Sequence, residues 1–302
     1  MSPLRLGVEV LAVFGPTGSG KTAVGEALAD ALGTGLVSAD ALQVYRGLPI
    51  LTNQPGRPTR LVAIRETHEE MSVGDYARLA HEAIDELVEG NGSAVVAGGT
   101  GLYLRAALTD LEVPPRVPAE VRAQLEATYD DDRDLAYAEL RAVDPTAAAG
   151  VHPNDRRRVV RALELAEVGA SLVPAEDRLW TAKTRRPTVL VGLEVPRDVL
   201  QRRIEERTHE MFERGVVEEV RMVLASGRTP SRTSEKALGL REVVELPAED
   251  AREAIVARTL RYAAYQRKWM RRMAGIVMID ADRPPEEVAD EILESLDDLQ
   301  LS

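Results

Sequence analysis

The sequence predicts an α/β fold in which helices flank a parallel sheet, with an all-helical domain inserted into that sheet domain. Three observations support this prediction. A glycine-rich loop stands between an apolar run and a helical pattern, strand and helix signals alternate through the first third, and a stretch with helical signals only precedes the return of strands. Strands that alternate with helices form parallel sheets whose two faces are covered.

The first strand, 10–14, leads directly into Gly15-Pro-Thr-Gly-Ser-Gly-Lys-Thr22, and helical periodicity begins at Lys21. This order matches a complete phosphate-binding loop, in which inward N–H groups and a helix N-terminus hold an anion. Lys21 can reach the terminal phosphate and Thr22 can ligate Mg²⁺. The motif predicts a P-loop NTPase-like sheet, and the flanking elements argue against a chance glycine turn. The predicted diphosphate or nucleotide site is Gly15, Pro16, Thr17, Gly18, Ser19, Gly20, Lys21 and Thr22.

The remaining elements follow in order. A strand at 35–39, a helix at 76–88 and a strand at 93–97 complete the first third, and Pro114, Pro115 and Pro118 end it. Helices are predicted at 119–128, 134–143 and 155–167, then a strand at 188–195, helices at 197–226 and 251–273, a strand at 275–279 and a helix at 285–296. We therefore expect a P-loop α/β catalytic domain, 1–112 with 187–302, and a helical insertion domain, 113–186.

Composition limits the function classes. The 302 residues include no Cys, which excludes disulfides, thiolate metal sites and a Cys nucleophile. Four His residues without paired spacing do not suggest a zinc site. The N-terminus lacks a charged-then-apolar leader, and no apolar run approaches the ~18 residues of a membrane helix. We therefore expect a soluble cytoplasmic protein with no membrane contact.

The net charge of −12 argues against nucleic acid, yet the basic residues are clustered. Between Glu253 and Asp280 there are six bases and no acid. Two further clusters are Arg156, Arg157, Arg158 and Arg161, and Lys183, Arg185 and Arg186. Local patches decide whether a protein binds a phosphate backbone. Solvated helix faces explain such clusters equally well, so both interpretations stay open.

Three further groups occupy places where α/β proteins build their sites, at the carboxyl ends of strands. Asp40 follows the second strand, with Gln43, Tyr45 and Arg46 after it, and Gly98-Gly-Thr-Gly-Leu-Tyr103 follows the third. Arg207, Met211 and Gly215 stand four residues apart, which puts the first two on one helix face. Asp40 could instead cap a helix, Gly98 and Gly99 could form a tight turn, and Arg207 could belong to a surface pair.

This ordered set resembles the tRNA dimethylallyltransferases (tRNA isopentenyltransferases, the IPP transferase family) over nearly the whole chain. The other matching segments are His152-Pro-Asn-Asp155 with Arg158 and Arg161-Ala-Leu-Glu164, Gly239-Leu-Arg241, and Gln266-x-x-Trp269-x-Arg271. The resemblance implies transfer of a dimethylallyl group from its diphosphate to N6 of the adenosine 3′ of the anticodon, in a subset of tRNAs.

The resemblance also implies roles for individual residues. Asp40 would accept the proton of the amine, Lys21 and Arg207 with Mg²⁺ on Thr22 would stabilise the departing diphosphate, and Thr17 would bond the bridging oxygen. The implied partners are dimethylallyl diphosphate and the tRNA anticodon stem-loop, with the protein a monomer. The implied tRNA contacts are Asp40, Ala41, Leu42, Gln43, Thr100, Arg122, Arg157, Arg158, Val159, Val160, Arg161, Lys236, Gly239, Arg241, Gln266, Lys268 and Arg271.

The chain departs from the family pattern in the loops. Ala41 replaces the usual Ser, Leu51-Thr-Asn-Gln-Pro55 replaces Gly-Thr-Ala-Lys-Pro, Thr59-Arg60 stands where a His pair is common, and Ala264-Tyr265 replaces a basic pair. On the helix 251–273, Arg258, Arg261, Lys268 and Arg272 share one arc, and Ile255, Tyr262, Trp269 and Met273 share the adjacent arc expected to face the core. Two rival functions remain open: a P-loop kinase of a small metabolite or nucleotide, and a non-enzymatic switch or RNA-binding module.

Overall fold

Five strands rich in small and β-branched apolar residues form one parallel sheet in the computed structural model, which describes residues 7–111, 117–173, 181–237 and 239–298. The strands are β1 (Val10–Phe14), β2 (Leu36–Ser38), β3 (Ala94–Gly98), β4 (Thr188–Glu194) and β5 (Ile276–Asp280), in the order β2-β3-β1-β4-β5. Every residue of β1 and β3 is buried, as expected of strands covered on both faces. The predicted α/β fold is confirmed, and each strand lies within one residue of its predicted bounds.

The described helices are numbered along the chain. Three come before the insertion: α1 (Lys21–Leu32), α2 (Val73–Asn91) and α3 (Gly101–Leu108). Four follow: α4 (Ala119–Asp131), α5 (Arg133–Val143), α6 (Pro145–Ala149) and α7 (Arg156–Glu167). The last five are α8 (Arg197–Glu213), α9 (Val216–Ala225), α10 (Leu240–Glu245), α11 (Ala248–Met270) and α12 (Pro285–Asp298). None of these helices, within the part of the chain described, is both long enough and apolar enough to cross a membrane.

The chain divides into two compact units, Met1–Asp110 with Leu179–Ser302, and Leu111–Arg178. The first contains the sheet, and the predicted prolines Pro114 and Pro115 lie outside the described residues. The second has its own apolar core of α4–α7 side chains, centred on Leu140, Val159 and Leu163. Each unit therefore has the packed core that a separate domain requires.

The predicted long helix 197–226 is wrong, because the helix is interrupted at Gly215. Gly215 has φ 89° and stands between the end of α8 and the start of α9, and its left-handed conformation is one that glycine adopts without steric cost. The break turns α9 so that Val216 and Val220 pack in a second apolar core with Leu48 and Leu51. Gly215 therefore ends one helix and aims the next at the loop that follows β2.

Helix α11 is rotated relative to its predicted orientation, and it ends at Met270, so Arg272 and Met273 lie beyond it. Its buried residues are Ala251, Ile255, Thr259, Ala263, Gln266 and Met270. The centre of this face lies about 40° from the predicted arc at 100° per residue. Tyr262 and Trp269, expected in the core, are only partly buried at its edge.

Candidate active site

The carboxyl ends of β1, β2 and β3 meet at one edge of the sheet and carry the phosphate loop, Asp40 and the glycines after β3 respectively. Phe14 is level with Gly98 of β3, so the phosphate loop and the glycines after β3 leave the sheet side by side. One cleft in the sheet unit is lined by the predicted Thr17, Lys21, Thr22, Asp40, Leu42, Gln43 and Arg207. Residues up to 190 positions apart in sequence therefore share one site.

The phosphate loop has the backbone shape that its sequence predicts. Gly18 and Gly20 have φ values of 86° and 82°, a left-handed conformation in which an L side chain is strained, and α1 begins at Lys21. A Cβ at Gly15 would overlap the Ser19 hydroxyl, which is buried and has no hydrogen-bond partner among the described residues. The loop thus closes tightly on itself and presents the N-terminus of α1 to the cleft.

Two cations and one carboxylate set the electrostatics of the cleft. Burial lowers the pKa of Lys21 to about 8, an effect that the charge of Asp40 opposes and that of Arg207 increases. Burial also lowers the pKa of Arg207 below its ordinary value, while Asp40 raises it. Because two partly desolvated cations lie near a single carboxylate, the cleft has an excess of positive charge that favours an anionic ligand.

Asp40 is held in a turn and does not cap a helix. Its Oδ1 accepts the N–H of Leu42 at 3.0 Å, the local geometry of an Asx turn, and residues 41–44 form turns. The Thr100 hydroxyl accepts the N–H of Ala41 at 3.1 Å and so ties this turn to the loop after β3. The helix-cap alternative is therefore wrong, and the carboxylate lies on the wall of the cleft.

The glycines after β3 are required by close contacts. A Cβ at Gly98 would overlap the Ala39 carbonyl, and one at Gly99 would overlap the Gln266 amide. A Cβ at Gly101 would overlap the ring of Trp269. Gly98 therefore lets the ends of β2 and β3 approach each other closely, Gly99 lets α11 and the phosphate loop approach the loop after β3, and Gly101 lets α11 pack on α3.

Gln266 joins the two glycine loops. Its Oε1 accepts the Thr17 N–H at 2.8 Å, and its Nε2 donates to the Gly99 carbonyl at 2.8 Å. With only 2% of its surface exposed, it is a brace inside the protein, and its predicted tRNA contact does not fit this burial. The Thr17 N–H is also occupied, so the hydroxyl of Thr17 is the group that can face a ligand.

Sequence reasoning missed Tyr262, which lines the cleft. Its phenol is hydrogen-bonded to the side chains of Thr100 and Gln266, and burial, followed by the charge of Asp40, raises its pKa to about 12. The phenol therefore stays protonated at neutral pH and can donate a hydrogen bond. The feature of the sequence that could have identified Tyr262 was its position one helical turn before Gln266, on the side of α11 that faces the phosphate loop.

Part of the wall of the cleft is apolar. This apolar wall comprises Leu42, Leu51, Ile204, Met211, Ala237 and Ile255. Glu219 of α9 holds the Leu51 part of it in place, because its two carboxylate oxygens accept the N–H groups of Ile50 and Leu51 at 2.7 Å each. Burial raises the pKa of Glu219, although the two backbone hydrogen bonds oppose that shift. Gln43 adds a bond from its Nε2 to the Asn53 carbonyl at 2.8 Å.

Among the other residues of the sheet unit that are predicted to contact tRNA, one is buried and four are exposed to solvent. Gly239 is buried with φ 108° and donates its N–H to Glu242, so it shapes the loop before α10. Lys236 and Arg241 are exposed, and so are Lys268 and Arg271. The latter two have no ion-pair partner among the described residues, which leaves them free to contact phosphates.

Several basic residues of the sheet unit form ion pairs with carboxylates of the protein, so they are not candidates for binding tRNA phosphates. Arg258 pairs with Glu242, so the predicted basic arc of α11 loses one member. Arg185 and Arg186 share Asp85 at 2.5 Å each, and Arg186 also pairs with Glu9 at 2.8 Å. The two arginines of this cluster therefore stabilise the sheet unit internally.

In the helical unit, Val159 and Val160 are buried in the apolar core, so a tRNA contact through their side chains does not fit this burial. Most of its predicted arginines are paired. Arg122 contacts Glu126 at 2.9 Å and Glu164 at 3.4 Å, Arg158 contacts Asp155 at 3.7 Å, and Arg161 contacts Glu164 at 2.9 Å. Arg157 is exposed and has no ion-pair partner within the described ranges.

Comparison with known proteins agrees with the family resemblance that the ordered motifs indicate. A family model described as IPP transferase matches residues 43–273, and one described as isopentenyl transferase matches residues 8–67. The tRNA dimethylallyltransferase of Anaeromyxobacter dehalogenans is 40% identical, over 93% of this chain and 98% of that protein. That of Thermomicrobium roseum is 38% identical, over 91% of this chain and 87% of that protein.

Solved structures have the same fold. The full-length tRNA isopentenylpyrophosphate transferase of Bacillus halodurans gives a TM-score of 0.67 at 30% identity, over 97% of this chain and 99% of that one. A eukaryotic dimethylallyltransferase acting on tRNA gives 0.73 at 24% identity, over 91% and 74% of the two chains. The family model described as IPP transferase covers most of the sequence. This chain therefore belongs to the IPP transferase family.

Proposed function

We propose that this protein transfers a dimethylallyl group from dimethylallyl diphosphate to N6 of the adenosine 3′ of the anticodon in a subset of tRNAs, releasing diphosphate. The observation that supports this most directly is the mixed lining of the cleft. Lys21 and Arg207 line it together with the apolar wall that includes Leu51 and Ile255. A short branched hydrocarbon attached to a diphosphate needs both kinds of surface at once.

The reaction replaces one bond with another. The N6 lone pair attacks C1 of the dimethylallyl group, the C1–O bond breaks, and the diphosphate leaves with the bonding electrons. An aromatic amine is a weak nucleophile, so Asp40 orients it and accepts its proton. The adenosine leaves the anticodon stack to reach Asp40, because a stacked base cannot enter the cleft.

Charge that develops on the leaving diphosphate is stabilised by Lys21, Arg207 and the N–H groups at the start of α1. The hydroxyl of Thr17 bonds the bridging oxygen. The Thr17 N–H is excluded from this role because Gln266 occupies it.

Mg²⁺ fits this donor set. Thr22 lies in the cleft beside Lys21, and the described residues contain no group of three or more His, Cys, Asp and Glu placed to hold a metal. Mg²⁺ characteristically uses few protein ligands together with substrate phosphates and water, so the Thr22 hydroxyl and the diphosphate would hold it. When bound, the ion neutralises charge on the leaving group.

Among the exposed basic residues that have no ion-pair partner within the described residues, Arg157 in the helical unit and Arg261, Lys268 and Arg271 in the sheet unit would contact tRNA phosphates. Changing Arg261 and Lys268 together to Ala should weaken binding of all substrate tRNAs alike and make the salt dependence shallower by roughly 0.7–0.9 per lost contact. An unchanged salt slope would mean that this side of α11 is only a solvated face. The monomeric state and the cytoplasmic location stay predictions.

The test of the reaction uses the purified protein, Mg²⁺, dimethylallyl diphosphate and a synthetic anticodon stem-loop. Mass spectrometry should find one dimethylallyl group on the adenosine 3′ of the anticodon, and a matched RNA with inosine there, which lacks the N6 amine, should stay unmodified. Dimethylallyl diphosphate, but not ATP, should raise the melting temperature. Stabilisation by ATP with phosphate transfer to a small molecule would instead support the P-loop kinase, against which the apolar wall argues.

A further inference from the structure

Tyr265 is an exposed aromatic side chain in a basic part of α11. It has 55% of its surface exposed, although large aromatic side chains usually bury most of theirs. Arg261 lies four residues before it and Lys268 three residues after it, so all three project from neighbouring positions on one side of the helix. Both cations are exposed and have no ion-pair partner within the described residues.

The ring of Tyr265 is supported from behind. Its centroid lies 6.4 Å from that of Trp269, at an interplanar angle of 65°, which is an edge-on contact. Trp269 in turn packs against Gly101, where no Cβ would fit. Because α11 and Trp269 are fixed against the sheet unit, ordering the Tyr265 ring on binding costs little conformational entropy.

Tyr265 lies about one helical turn from a residue that lines the cleft. Tyr262 lies three residues earlier, about one helical turn away, and lines the cleft with Asp40. A ligand whose reacting group is at Asp40 and that extends along α11 therefore passes the exposed ring.

An exposed aromatic ring between two unpaired cations suits one ligand class in particular. The cations attract phosphates, and the ring offers a face on which an unpaired base stacks, a combination common to proteins that bind single-stranded nucleic acid. We propose that Tyr265 stacks on an unpaired base of the RNA loop that delivers the adenosine to the cleft. This proposal rests on the proposed function, because the RNA loop is its substrate.

The experiment measures the dissociation constant of an anticodon stem-loop RNA across a series of salt concentrations. The variants are Tyr265→Phe, Tyr265→Ala and Arg261→Ala, with Met222→Ala on α9, a 70% exposed apolar residue, as the matched control. We expect Tyr265→Phe to bind within twofold of the natural protein and Tyr265→Ala to bind about 5- to 10-fold more weakly, with an unchanged salt slope. Arg261→Ala should make that slope shallower by roughly 0.7–0.9.

A matched blunt duplex without a loop separates stacking from a backbone contact, since the effect of Tyr265→Ala should vanish there. Unchanged loop binding by Tyr265→Ala, or equal weakening on loop and duplex, would overturn the proposal. Melting temperatures verify that each variant is folded. Prenyl transfer by the natural protein to the same stem-loop is measured in parallel, so failure of the proposed function is seen there and failure of the stacking proposal in the binding series.

Discussion

The protonation of Lys21 should control diphosphate binding near pH 8. Burial lowers the pKa of this ammonium to about 8, about 2.5 units below its ordinary value of 10.5. A diphosphate binds the charged form, so the apparent affinity falls as pH rises through the pKa of the free protein. With a pKa of about 8, the protonated fraction falls from about nine-tenths at pH 7 to about one-tenth at pH 9. The dissociation constant for dimethylallyl diphosphate should therefore rise about tenfold over those two units.

The assay is isothermal titration calorimetry with dimethylallyl diphosphate in Mg²⁺ between pH 7 and pH 9. A terminal phosphate loses its last proton near pH 6, and the pKa of Tyr262 is about 12, so neither group titrates in this window. Lys21→Arg keeps its charge throughout and is the matched control, with a flat profile. Lys21→Ala should bind weakly at all pH values and react slowly, because the same charge acts in the ground and transition states.

A dissociation constant that stays constant from pH 7 to pH 9 would refute the reasoning, since it would mean that Lys21 is solvated and keeps its ordinary pKa. A rise of equal size in Lys21→Arg would assign the titration to another group.

Four substitutions test the rest of the site. Asp40→Asn should bind tRNA almost normally and reduce turnover by about 10²- to 10⁴-fold, because an amide cannot accept the proton, and a rate above a tenth of normal would contradict that role. Arg207→Ala should lower turnover by about 10²- to 10³-fold with a smaller effect on diphosphate affinity, and an unchanged rate would exclude Arg207 from the reaction. Gln266→Leu should lower the free energy of unfolding by about 1–3 kcal/mol in urea titrations, since the buried Gly99 carbonyl and the partly buried Thr17 N–H lose their partner. Glu219→Gln should cost about 1–3 kcal/mol in the same assay, because the amide offers only one acceptor, and losses below ~0.5 kcal/mol would show that either side chain is dispensable.

Much of the fold was predictable because it depends on neighbouring residues. The strand before the phosphate loop, the loop itself and α1 form one continuous segment whose pattern admits few other structures. The place of Asp40 also followed from sequence, because parallel strands end at a common edge. Arg207 lies 167 residues from Asp40 on a helix, and only the resemblance to a family predicted that the two share a site.

Helix α11 shows where sequence patterns mislead. Its apolar side chains indicated a core face through Tyr262 and Trp269, yet the buried face is centred on the polar Thr259 and Gln266. Gln266 is stable there because both ends of its amide are hydrogen-bonded to backbone groups of remote loops. A periodicity measured in hydrophobicity does not register a polar residue that is buried with its partners.

The basic clusters were ambiguous for a related reason. Arg186 pairs with Glu9, which is 177 positions away, and Arg258 pairs with Glu242 on another helix. Composition counts a charge, whereas its capacity to bind RNA depends on whether a carboxylate already neutralises it.

By itself, the sequence determined the strands, most of the helices and the phosphate loop, because backbone propensity, glycine conformation and apolar periodicity act over a few residues. Only the tertiary structure decided which groups meet. It aligned Gln266 between two glycine loops, bonded Glu219 to the backbone of Leu51, and left Arg261 and Lys268 without ion-pair partners in the part of the chain that the structure describes. The physical reason is that hydrogen bonds, ion pairs and desolvation depend on distances in space, and these are created when remote segments pack together.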